Sequence, residues 1–479
     1  MEESEELRAA LHRASDWVAE YVRDPRRYPV LSRARPGELL GRLPASPPEL
    51  GEPLHRLLDD FEELVVPGIT HWNHPRFFAY FAITGSAPGI LAELLCAALN
   101  VNAMLWRTSP AATELEEVAT SWVREAIGLP PGFFGLITDT ASSSTLFALA
   151  AARERESGGA TRRAGVSPGL RIYLSVEAHS SVEKAAVILG IGGQNCVRIP
   201  VDAEFRMRPS ALGEAIARDR AAGLRPLAVV GTVGTTSTTS IDPIGELADI
   251  AATEGLWLHI DAAYGGAAAI VPQMRWVLDG CDRADSLVVN PHKWLFTPVD
   301  CSVLLIRHPD WLRAATSLSP HYLTTAEDGA AVNLMDYGYP LGRRFRALKL
   351  WFTLRALGLA GARAAITNHI EWAQELRRRL EANPEWEILA PSPFSTVVFR
   401  FRGSDEDNAA IEETINQSGE AFISHTSVEG RYALRVAIGN LRTTFDDVMA
   451  VYQLLCAATK KRYQTPRPTV ESPSEAALS

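Results

Sequence analysis

The stretch Ser286-Leu287-Val288-Val289-Asn290-Pro291-His292-Lys293-Trp294 decides the fold. Its apolar first half predicts a strand, and Asn290-Pro291 ends that strand, which leaves Lys293 at its carboxyl end. The histidine and tryptophan on either side give the lysine partly apolar surroundings. Such surroundings lower the pKa of a lysine and make its amine nucleophilic. A single lysine of this kind is more often a surface residue, so the interpretation depends on the stretches upstream.

Two earlier stretches repeat the layout of an apolar strand that ends at a polar residue. Residues 256–260 lead to Asp261, and residues 171–176 lead to His179. Ligands of an open parallel sheet bind outside the carboxyl ends of its strands, so Lys293, Asp261 and His179 are expected to face one crevice. A pyridoxal phosphate (PLP) site needs such groups: a lysine to form the Schiff base and a carboxylate to keep the pyridine nitrogen protonated.

Predicted strands and helices alternate through the middle of the chain. The predicted strands are 133–138, 171–176, 196–201, 227–233, 256–260, 286–290 and 302–306, and the predicted helices include 141–156, 210–222 and 243–254. Alternation of this kind indicates an α/β fold with a mainly parallel sheet that is covered on both faces. Strands near 396–401 and 432–438 and a helix near 445–458 predict a smaller α+β lobe after it.

Composition and charge narrow the class of protein. The formal net charge of −10 argues against binding to nucleic acid or to an anionic membrane surface. No uninterrupted apolar run is long enough to cross a membrane, and the acidic N-terminus lacks the basic start of a signal peptide. The cysteines show no metal-ligand spacing, so no metal is expected. Their scattered positions suit a reducing cytoplasm. They are Cys96, Cys196, Cys281, Cys301 and Cys456.

Seven stretches together resemble the group II PLP-dependent amino-acid decarboxylases, in particular those that act on aromatic L-amino acids. In chain order they are HPRFFAYF (74–81), SPAATELE (109–116), HSSVEKA (179–185), HIDAAY (259–264), NPHKW (290–294), PLGRRFR (340–346) and LRVAIGN (434–440). The resemblance runs from about residue 7 to 463. It implies the PLP-dependent transferase fold of the aspartate aminotransferase type (fold type I).

The resemblance also implies which residues hold the cofactor. Lys293 would carry it, Asp261 would bind the pyridine nitrogen, and His179 would stack on the ring. The remaining expected cofactor contacts are Ala141, Ser142, Thr236, Ala263, Asn290 and His292. Ala141 and Ser142 open a predicted helix, whose exposed N–H groups suit a phosphate. Asp139 and Thr140 replace the glycines that are frequent in relatives, which leaves their own roles open.

The expected substrate pocket is partly aromatic. Trp72, Tyr80 and Phe81 match the aromatic wall of the family's pocket and suit an aromatic ring. They could equally be core aromatics. Asn102, Met104 and Val299 are the other expected pocket residues, with contributions from the partner chain, and they differ from animal aromatic decarboxylases. These differences leave the choice between tryptophan, tyrosine, DOPA and phenylalanine open.

Tyr322 lies in the long stretch between Leu318 and Pro340, where few apolar anchors are present. Loops of this length in compact enzymes are often lids. The resemblance implies that the Tyr322 hydroxyl supplies a proton after carbon dioxide leaves, and relatives with phenylalanine there tend to make aldehydes. A loop tyrosine that only packs when the lid closes is the alternative.

Four parts of the chain are expected. These are an N-terminal helical dimerisation segment (1–85), a large PLP-binding α/β domain (86–363), a small C-terminal α+β domain (364–463) and a disordered tail (464–479). The N-terminal pair of amphipathic helices has little to pack against locally, and in relatives it lies across the partner subunit. A homodimer is therefore expected, although an arm folded on its own chain fits the sequence as well.

The expected activity is PLP-dependent decarboxylation of an aromatic L-amino acid to an amine and carbon dioxide, with Lys293, Asp261, His179 and Tyr322 as the catalytic residues. An aminotransferase or an aldehyde-forming oxidative deaminase on the same scaffold is the first alternative. A non-catalytic dimeric scaffold is the second, but such a scaffold should lack the intact pair of Lys293 and Asp261.

Overall fold

A seven-stranded sheet, in the order β1-β7-β6-β5-β4-β2-β3, forms the centre of the molecule. The computed structural model describes residues 2–318, 327 and 329–464. The strands are β1 (Phe134–Thr138), β2 (Leu170–Ser175), β3 (Cys196–Ile199), β4 (Arg225–Thr232), β5 (Trp257–Asp261), β6 (Ser286–Val289) and β7 (Ser302–Ile306). All seven predicted strands are thus present, with boundaries within two residues of those expected.

Two buried apolar clusters cover the two faces of this sheet. One face packs against α4, α8, α9 and the first half of α12, and the other packs against α5, α7 and α11. The helices are α1 (Glu2–Arg23), α2 (Leu54–Asp60), α3 (Ala87–Leu99), α4 (Pro110–Ala126), α5 (Ala141–Glu156), α6 (Thr161–Ala164), α7 (Ser181–Ile188), α8 (Pro209–Ala221), α9 (Ile244–Glu254), α10 (Pro291–Trp294), α11 (Pro309–Thr316), α12 (Ala347–Ala382), α13 (Asp405–Ser418) and α14 (Phe445–Gln464). Burial on both faces explains why the strands are apolar throughout.

A second, antiparallel sheet has the order β10-β11-β9-β8. Its strands are β8 (Trp386–Ile388), β9 (Thr396–Phe401), β10 (Ser424–Val428) and β11 (Arg431–Ala437). Together with α13, α14 and the end of α12 it encloses a third buried cluster. The segment around Phe78 joins this sheet, because its N–H donates to Phe422 O at 2.8 Å and its carbonyl accepts from Ala437 N. Phe78 therefore packs in the cluster of the second sheet, whereas Phe81 packs against a buried cluster of the first.

The N-terminal helices contact their own chain. Arg13 on α1 bonds Asp59 on α2 at 2.7 Å, and Arg442 donates to Val22 O at 2.9 Å. Arg26, just after α1, pairs with Asp447 on α14 at 2.7 Å. Among the described residues, no helix is both long enough and apolar enough to span a bilayer.

Two features of the fold depart from the simple expectation. Strand β7 runs antiparallel to both of its neighbours, β1 and β6, although the rest of the sheet is parallel. Helix α12 runs from Ala347 to Ala382 with a kink at Gly358, whose φ of 65° and ψ of 165° are not helical. Glycine adopts such a positive φ without steric cost, so the chain changes direction there and joins the two sheets.

Candidate active site

Lys293 lies where the sequence places it, at the carboxyl end of β6, within the single turn of α10. Its Nζ lies 5.1 Å from the centre of the Phe81 ring. Burial lowers the pKa of Lys293 below its ordinary value; nearby Arg435 lowers it further, and the Asp261 carboxylate opposes both. A lowered pKa increases the fraction of neutral, nucleophilic amine at neutral pH.

Asp261 ends the neighbouring strand β5, and its register partner is Val288 on β6. Its Oδ1 accepts the N–H of Ala263 at 3.1 Å, and its side chain is buried. His179 follows β2 and is exposed to solvent. Its Nδ1 accepts the Ser181 N–H at 3.1 Å, which leaves the other nitrogen as the protonated one in the neutral ring. Its surroundings lower the pKa of His179, chiefly through desolvation, so the neutral ring prevails at neutral pH.

The start of α5 has the properties of an anion site. Thr140 is its N-cap residue, but the side chain makes no capping hydrogen bond. The first N–H groups of a helix lack intrahelical partners and carry positive partial charge, so a phosphate is a suitable acceptor. Ala141 and Ser142 form this first turn, and Ser142 is exposed. The buried Asn290, at the end of β6, is connected to α5 through buried hydroxyls.

Three of the residues predicted for the pocket take part in two separate aromatic stacks. Trp72 stacks on Tyr80 with ring centres 5.9 Å apart, and Phe81 stacks on the buried Tyr264 at 4.0 Å. Tyr80 has a φ of 52° and is 55% exposed. A tyrosine with positive φ is uncommon and costs conformational energy. The surrounding contacts hold this backbone and present the phenol ring toward solvent.

Arg435 is a site residue that the sequence reasoning missed. It comes from β11, is buried, and its guanidinium carbon lies 4.5 Å from the centre of the Phe81 ring. Two of its nitrogens donate to Ser237 O and Tyr80 O, whereas the buried Nη2 has no partner among the described residues. Burial lowers the pKa of Arg435 to about 10, so it stays charged at neutral pH.

The feature that marks Arg435 became visible only in the folded chain. Positions 433–437 of β11 are buried without interruption, and Arg435 is the charged residue among them. A buried charge without a full set of partners is costly and therefore marks a functional site. The stretch LRVAIGN (434–440) resembles a family motif, but its residue types alone do not show that this strand is fully buried.

Other predicted residues lie elsewhere or outside the described part. Asn102 Oδ1 accepts the Arg343 N–H at 2.9 Å, and Met104 packs with Leu105 and Met335, so their contacts in the described structure are not with Lys293. Val299 and Thr236 are exposed in loops. Tyr322 and the tail 465–479 lie outside the described residues.

Comparison with known proteins gives the family. Residues 36–402 match the model of the pyridoxal-dependent decarboxylase conserved domain. The chain is 38% identical to phenylacetaldehyde synthase of Arabidopsis thaliana, over 95% of this chain and 96% of that protein. It is also 38% identical to tryptophan decarboxylase 2 of Oryza sativa subsp. japonica, over 95% and 94%. The crystal structure of Oryza sativa TDC with PLP and tryptamine superposes with a TM-score of 0.92 at 35% identity, covering 96% of this chain and 98% of that one.

The fold and the strand-end lysine and carboxylate define the class as a PLP-dependent enzyme of fold type I. The chain belongs to the pyridoxal-dependent decarboxylase family. Its residues fit the cofactor chemically: an amine of lowered pKa, a buried carboxylate on the adjacent strand and an uncapped helix start lie along one edge of the sheet. The prediction of a PLP-dependent amino-acid decarboxylase is therefore confirmed, and the non-catalytic scaffold is not supported.

Proposed function

We propose that this enzyme decarboxylates an aromatic L-amino acid to the corresponding amine. The observation that carries the proposal is the position of Lys293 and Arg435, two cations over the Phe81 ring, which itself stacks on Tyr264. PLP, when bound, supplies an electron sink for the carbon–carbon bond that breaks. This reaction requires a cation for the substrate carboxylate, an amine for the cofactor and an apolar wall for the substrate side chain.

Each proposed role follows from the chemistry of the residue. Lys293 binds the cofactor covalently, and Asp261 stabilises positive charge on the pyridine nitrogen. The Nη2 of Arg435, which has no partner among the described residues, donates to the substrate carboxylate. His179 covers the cofactor ring with its neutral imidazole, and Ala263 leaves space on the opposite face. Ala141, Ser142, Thr236, Asn290 and His292 complete the proposed cofactor contacts.

The side-chain pocket favours an aromatic substrate. Trp72 and Tyr80 stack at 5.9 Å, and the exposed Tyr80 ring offers an apolar face with a polar end. Two relatives, named for tryptophan and for phenylacetaldehyde, also point to aromatic compounds. We propose that Asn102, Met104 and Val299 complete the pocket across a subunit interface.

Two measurements test the assignment together. Borohydride reduction of the purified protein, followed by peptide mass mapping, should place the pyridoxyl group on Lys293. A panel of tryptophan, tyrosine, DOPA, phenylalanine, histidine and glutamate, assayed for amine and carbon dioxide, should show faster turnover of an aromatic member than of glutamate. A label on another lysine contradicts the site, and preferential turnover of glutamate contradicts the pocket.

An aldehyde synthase is the second candidate, because one relative carries that name. The presence of Tyr322 favours the amine, since a phenol can protonate the reacting carbon before oxygen reacts with it. Tyr322→Phe should keep cofactor binding but divert product to aldehyde with peroxide. Amine, aldehyde and peroxide are measured together in air. If the variant makes amine at the wild-type rate without peroxide, Tyr322 is not the proton donor.

We further propose a homodimer in the cytoplasm, built from the four parts expected from the sequence (1–85, 86–363, 364–463 and 464–479). Support for the dimer comes from the apolar residues that α3 leaves exposed, which are Leu91, Leu94, Leu95 and Leu99. All five cysteines are free, as expected in a reducing compartment. Sedimentation of the purified chain tests the dimer.

A further inference from the structure

Five buried polar side chains form one continuous hydrogen-bonded row beneath the cofactor site. Thr138 Oγ1 lies 2.8 Å from Ser144 Oγ, and Ser144 Oγ lies 3.0 Å from Ser302 Oγ. Ser302 Oγ lies 2.7 Å from the Asn290 amide, whose other end lies 3.2 Å from His292 Nε2. Each of these residues is at most 5% exposed. The row connects β1, α5, β7 and the end of β6, so it joins four elements around Lys293.

The proton positions at the His292 end follow from one backbone group. The Cys301 N–H donates to His292 Nδ1 at 2.9 Å, and a backbone N–H has no other role than donor. Burial lowers the pKa of His292 to about 3, so the ring is neutral at neutral pH. A neutral ring with an unprotonated Nδ1 carries its proton on Nε2. That N–H needs an acceptor, and the Asn290 amide is its neighbour.

This requirement fixes the orientation of Asn290. Its amide oxygen must face His292 and its amide nitrogen must face Ser302, which assigns the amide group by a half-turn about the last side-chain bond. The two ends of an asparagine amide have nearly the same shape, so the hydrogen-bond network decides between them. After the half-turn each hydrogen bond in this part of the row joins a donor to an acceptor.

The remaining protons then point in one direction. The Asn290 amide donates to Ser302, Ser302 donates to Ser144, and Ser144 donates to Thr138. Thr138 in turn donates to the Thr140 carbonyl at 3.1 Å, in the N-cap residue of α5. The row thus begins at a loop N–H after Lys293 and ends at the start of the helix that suits a phosphate.

We propose that Ser302 and Ser144 are positioning residues for Lys293, acting through this one-directional row and the Nε2-protonated ring of His292. The inference rests on the proposed role of Lys293 as the cofactor lysine and adds residues to that site. His292 N also donates to Cys301 O at 3.2 Å, and Lys293 N donates to Asn290 O at 2.9 Å. The row therefore holds both sides of the turn that carries the lysine, at a fixed distance from α5.

The first test concerns the protons alone. The full-length protein is labelled with ¹⁵N-histidine, and His292→Asn identifies the His292 signals by their loss. The expected result is a neutral, Nε2-protonated ring that does not titrate between about pH 6 and 9, where an ordinary histidine would. A charged ring, or a proton on Nδ1, overturns the proposed direction of the row.

The second test concerns positioning and uses PLP itself as the probe. Ser302→Ala interrupts the row, Ser302→Thr keeps the hydroxyl, and Ser286→Ala is the matched control. Ser286 is also fully buried in the sheet, where it accepts the Trp257 indole N–H at 2.8 Å and lies 2.9 Å from His259 Nδ1, but it lies outside the row. The PLP dissociation constant and the thermal midpoint are measured for each. One hydrogen bond is worth roughly tenfold in affinity, so Ser302→Ala should weaken PLP binding about tenfold.

The control and the rescue decide the interpretation. Ser302→Thr and Ser286→Ala should each bind PLP within about threefold of the wild type, although Ser286→Ala loses a similar hydrogen bond. If PLP binding is weakened equally in Ser302→Ala and Ser286→Ala, or in neither, the positioning role is overturned. If Ser302→Ala does not fold, the pair Ser144→Ala and Ser144→Thr tests the next link. A borohydride label away from Lys293 refutes the proposed function, whereas a label on Lys293 with equal weakening refutes only this inference.

Discussion

Arg435 has a buried nitrogen, Nη2, without a partner among the described residues, and its substitution separates carboxylate binding from ring binding. With Nη2 unpartnered and buried, the side chain gains most from an anionic ligand. A hydrogen bond to a charged group is worth about 1.5–3 kcal/mol, so Arg435→Gln should raise KM for the aromatic amino acid roughly 10- to 150-fold. Inhibition by the corresponding amine, which lacks a carboxylate, should change little.

The matched control for this substitution is Arg400→Gln. Arg400 is also buried in the small sheet, but it donates to Gly403 O and pairs with Asp405 at 3.1 Å. The Arg400→Gln substitution should lower the thermal midpoint of the protein without changing KM. Equal increases in KM for both variants would show that general loosening of the sheet, and not a lost carboxylate contact, explains the effect.

Lys293 should reduce the stability of the cofactor-free protein at neutral pH. The pKa of Lys293 is lower in the folded protein than in the unfolded chain. When the pH falls below the ordinary lysine pKa, the unfolded chain binds the proton first, and this lowers the stability of the folded protein. Lys293→Met should therefore raise the thermal midpoint at pH 7, and the gain should shrink toward about pH 10.4, where an unfolded lysine becomes neutral. Lys184→Met, on the exposed part of α7, should give no such pH-dependent gain. A gain that is constant with pH would contradict the explanation.

At the scale of elements, two helix glycines predict opposite effects of the same substitution. A Cβ at Gly89 on α3 would lie 2.3 Å from Pro298 Cδ, whereas a Cβ at Gly213 on α8 meets nothing within 4 Å. Gly89→Ala should cost about 1–3 kcal/mol through overpacking against the loop after Lys293. Gly213→Ala should gain about 0.5–1 kcal/mol through helix propensity. Urea unfolding measures both, and a stabilised Gly89→Ala would show that the loop yields easily.

The elements themselves could be predicted because their signals are local. Apolar runs such as 286–289 and 302–306 end at turn residues, and each is a strand. The antiparallel direction of β7 could not be predicted, because a fully buried run reads the same in either direction. The row through Ser144 and Ser302 also had no signal, since buried hydroxyls gain their meaning only when distant strands are brought together.

The site residues likewise divide into those with a local sequence signal and those that are brought together only by folding. Lys293 and Asp261 were found because each follows a strand of one parallel sheet, whose carboxyl ends meet at one edge. Arg435 comes from the antiparallel sheet and reaches Phe81 across the joint between the two lobes. No rule based on strand ends within one sheet relates those positions, so its contribution appears only in the folded molecule.

At the scale of the whole molecule, the exposed apolar face of α3 predicts that the chain is incomplete as a monomer. Leu91, Leu94, Leu95 and Leu99 are 40–61% exposed on one thirteen-residue helix. Leu91, Leu95 and Leu99 are four residues apart, and Leu94 directly precedes Leu95, so the four lie along one side of the helix. Apolar patches of this kind mark interfaces. Asn102 and Met104 follow α3 directly, so an interface there would bring the proposed pocket residues toward a partner's site.

Leu95→Glu tests this dimer, because a carboxylate at the centre of the face is costly to bury in an interface. In analytical ultracentrifugation the wild type should sediment as a dimer of the 52.2 kDa chain, and Leu95→Glu should shift toward monomer with loss of decarboxylase activity. Phe445→Glu, an exposed aromatic at the start of α14, is the control and should stay dimeric and active. A wild-type protein that is monomeric and fully active would contradict the dimer, and a dimeric Leu95→Glu would place the interface on another surface.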